Sequence, residues 1–161
     1  MSDTAALLDL CRAHGLKLAT AESCTGGMVG AWLTEVPGSS DVFDRGFITY
    51  SNAAKRGMLG VTSDSLEAFG AVSEQVAAEM ASGALVRSEA NIAVSITGIA
   101  GPGGSEHKPE GRVCFGLAYG DTVHVETQEF GAIGRDKVRE AAAKRAIALL
   151  IQGANLKSDR A

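Results

Sequence analysis

The sequence is poor in the residues from which disulfide frameworks and metal centres are built. Its 161 residues contain three cysteines, Cys11, Cys24 and Cys114, which are scattered along the chain and form no Cys-x-x-Cys pair. The three histidines are equally scattered. This spacing argues against a disulfide framework and against a cysteine zinc site. We therefore expect a protein with reduced thiols, no metal and no cofactor.

Long apolar runs and an excess of positive charge are also missing. No apolar run approaches the ~20 residues that a membrane-spanning helix needs. The first residues, MSDTAALLDLCRAHG, lack a basic start and a continuous apolar run, so they do not resemble a signal peptide. The net charge of −4 argues against a broad nucleic-acid-binding face, but it leaves room for a small anion that binds locally. We expect a cytoplasmic protein that binds a small molecule, with neither nucleic acid nor a membrane as its partner.

The elements predicted from the sequence alternate between strands and helices. A single domain over 1–161 is expected, with a frayed tail from about residue 154. Glycine, proline and capping residues bound the elements, and Gly120-Asp121 marks a two-residue hairpin turn. The helices are expected at 2–15, 26–36, 53–59, 65–69, 74–88 and 135–152, and the strands at 16–20, 43–51, 91–97 and in a hairpin over 112–130. This order predicts a three-layer α/β/α sandwich with a mixed, mostly parallel sheet.

Residues 20–27, TAESCTGG, lie between a predicted strand and a predicted helix. The segment holds three candidate nucleophiles, Ser23, Cys24 and Thr25. Gly26 and Gly27 follow them and remove the side chains that would keep a ligand from the helix N-terminus. Free N–H groups there can hold a phosphate or an oxyanion. Two alternatives stay open: Ser23 or Thr25 caps the helix, and Cys24 is either a thiolate nucleophile or a small buried side chain.

A second polar segment, FITYSNAAK, lies at the next strand-to-helix junction. It contains Tyr50 and Lys55, and Asn52 is expected to cap the helix that carries the lysine. A lysine on a short helix is usually a solvated charge. If Lys55 is buried, however, it loses its proton more easily and can deprotonate a serine. Tyr50 is either a core aromatic or a hydroxyl directed into the site.

A third segment, SITGIAGPGG, is a glycine-rich loop that follows a buried strand. It matches neither of the standard nucleotide-binding glycine motifs. Glycines at a strand end allow a backbone to approach a phosphate or ribose closely, and Ser105 and Lys108 can add a hydroxyl and a charge. The alternative is a flexible connector. Because all three segments follow strand ends, we expect them to meet in one cleft.

Four motifs in fixed order carry a family resemblance. AESCTGG, GFITYSNAAK, GAVSEQVAAEMASGA and SITGIAGPGGSEHKPEGRV resemble the CinA C-terminal domain family, and the likeness runs from about Leu7 to Leu150. The resemblance implies a fold similar to anticodon-binding domains, without implying tRNA binding. It also implies hydrolysis of nicotinamide mononucleotide to nicotinate mononucleotide and ammonia.

The family's catalytic residues fall on Ser23 as nucleophile, Lys55 as base, and Tyr50 as a group that relays or orients the proton. Because both residues lie at strand-to-helix junctions that should open on one edge of the sheet, Ser23 Oγ and Lys55 Nζ are expected within hydrogen-bond reach. The residues expected to bind substrate are Thr25, Gly26, Gly27, Thr97, Gly98, Gly101, Gly103 and Gly104. A homodimer is also expected. Two alternatives remain: a nucleotide-binding or regulatory module without catalysis, and a cysteine amidase that uses Cys24.

Overall fold

The computed structural model describes residues 2–159, which form five strands and six α-helices in nearly the predicted order. The strands are β1 (Leu18–Glu22), β2 (Phe43–Ile48), β3 (Ile92–Gly98), β4 (Arg112–Tyr119) and β5 (Thr122–Glu129). The helices are α1 (Ser2–Ala13), α2 (Met28–Thr34), α3 (Asn52–Leu59), α4 (Ser63–Phe69), α5 (Glu74–Val86) and α6 (Arg135–Asp159). A single 3-10 turn, Ser39–Asp41, precedes β2. The predicted hairpin is confirmed, because Tyr119 pairs with Thr122 around Gly120-Asp121.

The five strands form one mixed sheet in the order β2-β1-β3-β4-β5. Strand β1 is parallel to both β2 and β3, whereas β4 and β5 continue the sheet as an antiparallel hairpin. The mixed sheet is confirmed, and its four pairings divide equally into two parallel and two antiparallel ones. The parallel half carries the strand ends from which the predicted cleft was inferred.

Helices cover both faces of the sheet, which confirms the three-layer sandwich. Helices α1, α2 and α6 pack on one face, and α5, supported by α3 and α4, packs on the other. Successive side chains of β3 point to opposite faces of the sheet and so belong to different cores. Ile92, Val94 and Ile96 belong to the larger core on the side of α6, while Ala93 belongs to the smaller core on the side of α5. Small residues on that face let α5 approach closely, and Ser95 Oγ donates a 2.6 Å hydrogen bond to a carbonyl of α5.

Helix α6 continues beyond the point where the sequence predicted a frayed tail. It extends to Asp159, and Ala154 is fully buried in the larger core. Apolar packing therefore holds the chain at least to that residue, and residues 160–161 of the predicted tail lie outside the described residues. No helix within 2–159 combines the length and the apolar character that a membrane crossing requires.

Candidate active site

The candidate site is built where the three parallel strands end. Glu22, the last residue of β1, is in register with Ile48 of β2 and Ile96 of β3. The chain leaves β1 for a neighbour on one side and later returns to the other side, which creates a topological switch point. Ligands of open α/β sheets bind at such points, beyond the carboxyl ends of the strands. Ser23 follows β1 directly, and its backbone N–H donates a 2.9 Å hydrogen bond to the Ile96 carbonyl.

Lys55 reaches this edge from the first turns of α3. The helix is capped by Ser51, whose Oγ accepts a 3.0 Å hydrogen bond from the Ala54 N–H, and not by Asn52 as predicted. Lys55 is only 1% exposed, and its Nζ lies 3.0 Å from Ser23 Oγ. The predicted contact between two side chains 32 positions apart is therefore confirmed, and Lys55 is not a solvated surface charge.

The surroundings of Lys55 favour a neutral amine. Burial lowers its pKa from the ordinary value of 10.5, against the opposing charges of Cys24 and Glu106. Within the described part of the chain, no carboxylate lies in ion-pair distance of Nζ. The amine also contacts two backbone carbonyl oxygens, those of Thr49 at 3.0 Å and Tyr50 at 3.3 Å. A neutral amine that donates to both carbonyls keeps its lone pair for the Ser23 hydroxyl, which is the arrangement a general base needs.

Cys24 has the properties of a buried core residue. Its side chain is 6% exposed and joins the larger hydrophobic core. Burial raises the pKa of its thiol to about 12. Because only the thiolate is a strong nucleophile, this environment disfavours the cysteine-amidase alternative and supports the small buried side chain.

Glu22 caps helix α2 in place of the serine or threonine considered from the sequence. Its carboxylate is 1% exposed and lies against the helix N-terminus, whose positive dipole end favours an anion. It accepts hydrogen bonds from the Thr25 hydroxyl (2.6 Å) and from the N–H groups of Gly27 (3.2 Å), Val29 (3.0 Å) and Gly30 (3.1 Å). The hydroxyls of Ser23 and Thr25 do not cap the helix. This role was not predicted from the sequence, because a glutamate is usually solvated.

This cap uses the hydroxyl of Thr25 and the amide of Gly27, two of the residues that were expected to bind substrate together with Gly26. The Gly27 N–H is taken by Glu22, and the Gly26 N–H donates a 3.1 Å hydrogen bond to the Ser23 carbonyl. None of the three residues lines the cavity beside Ser23. The two glycines instead adopt left-handed backbone conformations, with φ of +59° and +104°. They shape the turn and do not offer their amides to a phosphate or an oxyanion.

A cavity of about 340 Å³ opens beside Ser23 and Lys55. Its size lies at the lower end of the range for small-molecule sites. Residues from all three predicted segments line it, which confirms that the segments meet in one cleft. The lining includes five residues that the sequence assigned to substrate binding, namely Thr97, Gly98, Gly101, Gly103 and Gly104.

Close packing, rather than access for a ligand alone, accounts for most of the glycines in this loop. A Cβ on Gly98 would lie 3.0 Å from the Arg112 carbonyl, and one on Gly104 would lie 2.4 Å from the Lys108 carbonyl. Only Gly103 of the four has nothing within 4 Å of the Cβ position. Most of these glycines are therefore needed for close packing within the loop, and this packing fixes the wall of the cavity.

Arg135 is a residue of the cavity that sequence reasoning missed. It is the first residue of α6, is exposed, and donates hydrogen bonds to the Gly101 carbonyl at 2.6 Å and to the Tyr50 hydroxyl at 3.0 Å. Tyr50 is 63% exposed and lines the cavity, so it is not a core aromatic. Its hydroxyl contacts Arg135, and its backbone carbonyl contacts Lys55. A basic residue at a helix start carries no sequence signal for such a role.

Lys108 does not line this cavity, although the sequence predicted that it could add a positive charge for the phosphate or ribose side of a ligand. Its Nζ donates to the backbone carbonyls of Phe69 and Val72, and so fastens the loop to the segment between α4 and α5. The exposed cation at the cavity is Arg135. Over residues 2–159, no group of three or more His, Cys, Asp or Glu side chains is arranged to hold a metal ion.

Known proteins share both the sequence and the fold. Residues 2–153 match the family described as the CinA C-terminal domain. A "Putative competence-damage inducible protein" of Caldicellulosiruptor saccharolyticus is 51% identical over 146 residues, which are 89% of this chain and 35% of that protein. The chain thus spans about a third of the length of such relatives.

Two further relatives match the chain along most of their own length. The "Nicotinamide-nucleotide amidohydrolase PncC" of Enterobacter agglomerans is 52% identical over 134 residues, which cover 82% of this chain and 81% of that protein. The crystal structure of competence/damage inducible protein CihA from Agrobacterium tumefaciens superposes with a TM-score of 0.91 at 47% identity, and the match covers 96% of this chain and 94% of that one. With the sequence match over residues 2–153, these similarities show that the chain belongs to the CinA C-terminal domain family.

Proposed function

We propose that the chain hydrolyses the carboxamide of nicotinamide mononucleotide and releases nicotinate mononucleotide and ammonia. One observation carries the proposal: a buried lysine without an ion-pair partner in the described chain lies 3.0 Å from a serine hydroxyl at the edge of a cavity. A nucleophile within hydrogen-bond reach of its base is the mark of covalent acyl transfer. The name of the Enterobacter agglomerans relative supports nicotinamide mononucleotide as the substrate.

In the first half of the reaction, neutral Lys55 accepts the proton of Ser23 as Oγ attacks the carboxamide carbon. A tetrahedral oxyanion forms, and in this proposal the backbone N–H of Cys24, the residue after the nucleophile, donates a hydrogen bond to it. The protonated Lys55 then gives its proton to the departing nitrogen. The C–N bond breaks, ammonia leaves, and the acyl group stays on Ser23 as an ester.

In the second half, a water molecule attacks the ester while Lys55 again accepts a proton. The C–O bond to Ser23 breaks, Lys55 returns the proton to Oγ, and the carboxylic acid leaves. The two carbonyls that hold Nζ, those of Thr49 and Tyr50, keep the amine directed at Oγ in both halves. Every proton transfer in the proposed reaction passes through Lys55 Nζ.

Arg135 is the residue proposed to bind the phosphate of the mononucleotide. A guanidinium has five N–H donors, and the Gly101 carbonyl and the Tyr50 hydroxyl occupy only some of them. The remaining donors suit a phosphate, which arginine binds with two parallel hydrogen bonds. In this proposal Tyr50 positions Arg135 and does not relay the proton.

Ammonia release from nicotinamide mononucleotide tests the proposal. The purified protein is assayed after treatment with a chelator, beside Ser23→Ala and Cys24→Ala. We expect the wild type and Cys24→Ala to release ammonia and Ser23→Ala to lose several orders of magnitude in rate. Binding without turnover in the wild type would favour a non-catalytic nucleotide-binding module. Activity that survives Ser23→Ala and is lost in Cys24→Ala would favour the thiol.

A further inference from the structure

One carboxylate faces the cavity, and the proposed reaction does not use it. Among the residues that line the cavity, Glu106 is the only acidic one, and Lys55 and Arg135 are the basic ones. Among residues 2–159, the side chain of Glu106 forms no hydrogen bond and no ion pair. The lining therefore combines an unpaired carboxylate with an exposed guanidinium, so that the cavity offers charges of both signs.

The backbone holds Glu106 in a conformation that its side chain does not favour. Ser105 and Lys108 exchange hydrogen bonds of 3.0 Å and 2.8 Å, which closes a tight turn around Glu106 and His107. The φ angles of these two central residues are +53° and +64°, the left-handed region in which glycine and asparagine are usual. No other non-glycine residue of the described chain has a positive φ. Such a conformation costs about 1–2 kcal/mol per residue, and strain of this kind concentrates at binding sites.

The carboxylate of Glu106 lies beside Gly70. Glu106 Oε2 is 2.5 Å from the point that a Cβ on Gly70 would occupy, so a side chain at position 70 would displace the end of Glu106. Lys108 Nζ lies 2.9 Å from the same point, but it donates to backbone carbonyls and forms no ion pair with Glu106. The charge of Glu106 also reaches the proposed base, since it opposes the lowering of the Lys55 pKa by burial. Glu106 thus lines the same cavity as Ser23 and Lys55, and its carboxylate forms no ion pair with a described residue.

We propose that Glu106 selects the positively charged pyridinium ring of the substrate, while Arg135 binds the phosphate at the other end. The inference rests on the proposed function, whose substrate carries a cationic ring and an anionic phosphate on one small molecule. Glu106 is a specificity residue in this scheme. It favours the cationic ring over a neutral ring of the same shape, and it takes no proton in the reaction.

Two forms of one nucleotide separate the effect of ring charge from the effect of shape. Nicotinamide mononucleotide has a cationic ring, and its 1,4-dihydro form has the same amide, ribose and phosphate with a neutral ring. Their dissociation constants are measured by calorimetry on Ser23→Ala protein, which prevents turnover. The same measurements are made after adding Glu106→Gln, Glu106→Asp or Glu67→Gln. Glu67 is exposed on α4 and does not line the cavity, so it controls for the loss of one negative charge.

We expect the cationic form to bind about five- to tenfold more tightly than the neutral form, as for a partly exposed ion pair worth about 1 kcal/mol. Glu106→Gln should abolish this preference by weakening the cationic form alone, while Glu106→Asp and Glu67→Gln retain it. Equal weakening of both forms, or an unchanged preference in Glu106→Gln, would overturn the assignment. Ammonia release by the protein with Ser23 intact distinguishes this result from a failure of the proposed function. A protein that hydrolyses the mononucleotide but shows no preference for the cationic ring refutes only the role of Glu106.

Discussion

Replacing Lys55 with methionine tests whether the lysine is neutral in the folded protein. Lys55 is 1% exposed, and burial lowers its pKa below 10.5, whereas the unfolded chain keeps the ordinary value. Between the folded and the unfolded pKa, the unfolded chain binds one more proton, so the free energy of unfolding rises with pH. A difference of one bound proton between the two states changes the free energy of unfolding by about 1.4 kcal/mol per pH unit. The wild type should therefore gain stability relative to Lys55→Met as the pH rises toward 10.5, and the difference should level off above it.

Urea unfolding from about pH 6 to about pH 11 measures this slope. The lost hydrogen bonds to the carbonyls of Thr49 and Tyr50 change the stability of the variant by an amount that does not depend on pH, so only the slope of the difference is used. Lys137→Met is the control, because Lys137 is exposed on α6 and its difference should stay flat. A flat difference for Lys55→Met as well, or one that falls with pH, would refute a depressed lysine pKa.

Four further substitutions test the packing of the helices and of the cavity wall. Glu22→Gln should lower the free energy of unfolding by about 2 kcal/mol, measured in urea, because an amide cannot accept all the hydrogen bonds that the carboxylate accepts; unchanged stability would contradict this cap. Gly83→Ala should destabilise by about 1–3 kcal/mol, because its Cβ would lie 2.0 Å from the Leu59 carbonyl, whereas Gly57→Ala, with open space at its Cβ, should stabilise by about 0.5–1 kcal/mol. Stabilisation by both substitutions would show that helix propensity alone decides. Gly101→Val should raise the Michaelis constant for the mononucleotide strongly, because φ is +91° there and the loop wall must move; unchanged affinity would remove the loop from the binding site.

The elements and the meeting of Ser23 with Lys55 were predictable because they follow from local rules. Each polar segment comes directly after an apolar strand, and parallel strands place their carboxyl ends at one edge of the sheet. The register of β1 with β2 and β3 makes that edge level at Glu22, Ile48 and Ile96. The nucleophile and the lysine could therefore be brought together without knowledge of side-chain packing.

The features that the sequence did not reveal depend on contacts between distant segments. Arg135 reaches the cavity because α6 packs across the sheet and begins beside Gly101, 34 positions earlier in the chain. Glu22 is buried because α2 packs over the end of β1, and its carboxylate accepts hydrogen bonds from amides at the helix N-terminus that the sequence predicted to be free for an anion. In sequence a charged residue is most often solvated, so its burial or its partner becomes visible only in the fold.

The central claim is that Ser23 and Lys55 act as one catalytic unit, and a double-mutant cycle on ammonia release from nicotinamide mononucleotide tests it most directly. Ser23→Ala and Lys55→Ala should each lower kcat by several orders of magnitude while binding survives, and the double variant should be little worse than either, because residues that act together give non-additive losses. Lys55→Arg should remain inactive, since its guanidinium keeps its proton and cannot serve as a base. Losses that multiply in the double variant, or an active Lys55→Arg enzyme, would contradict the Ser23–Lys55 mechanism.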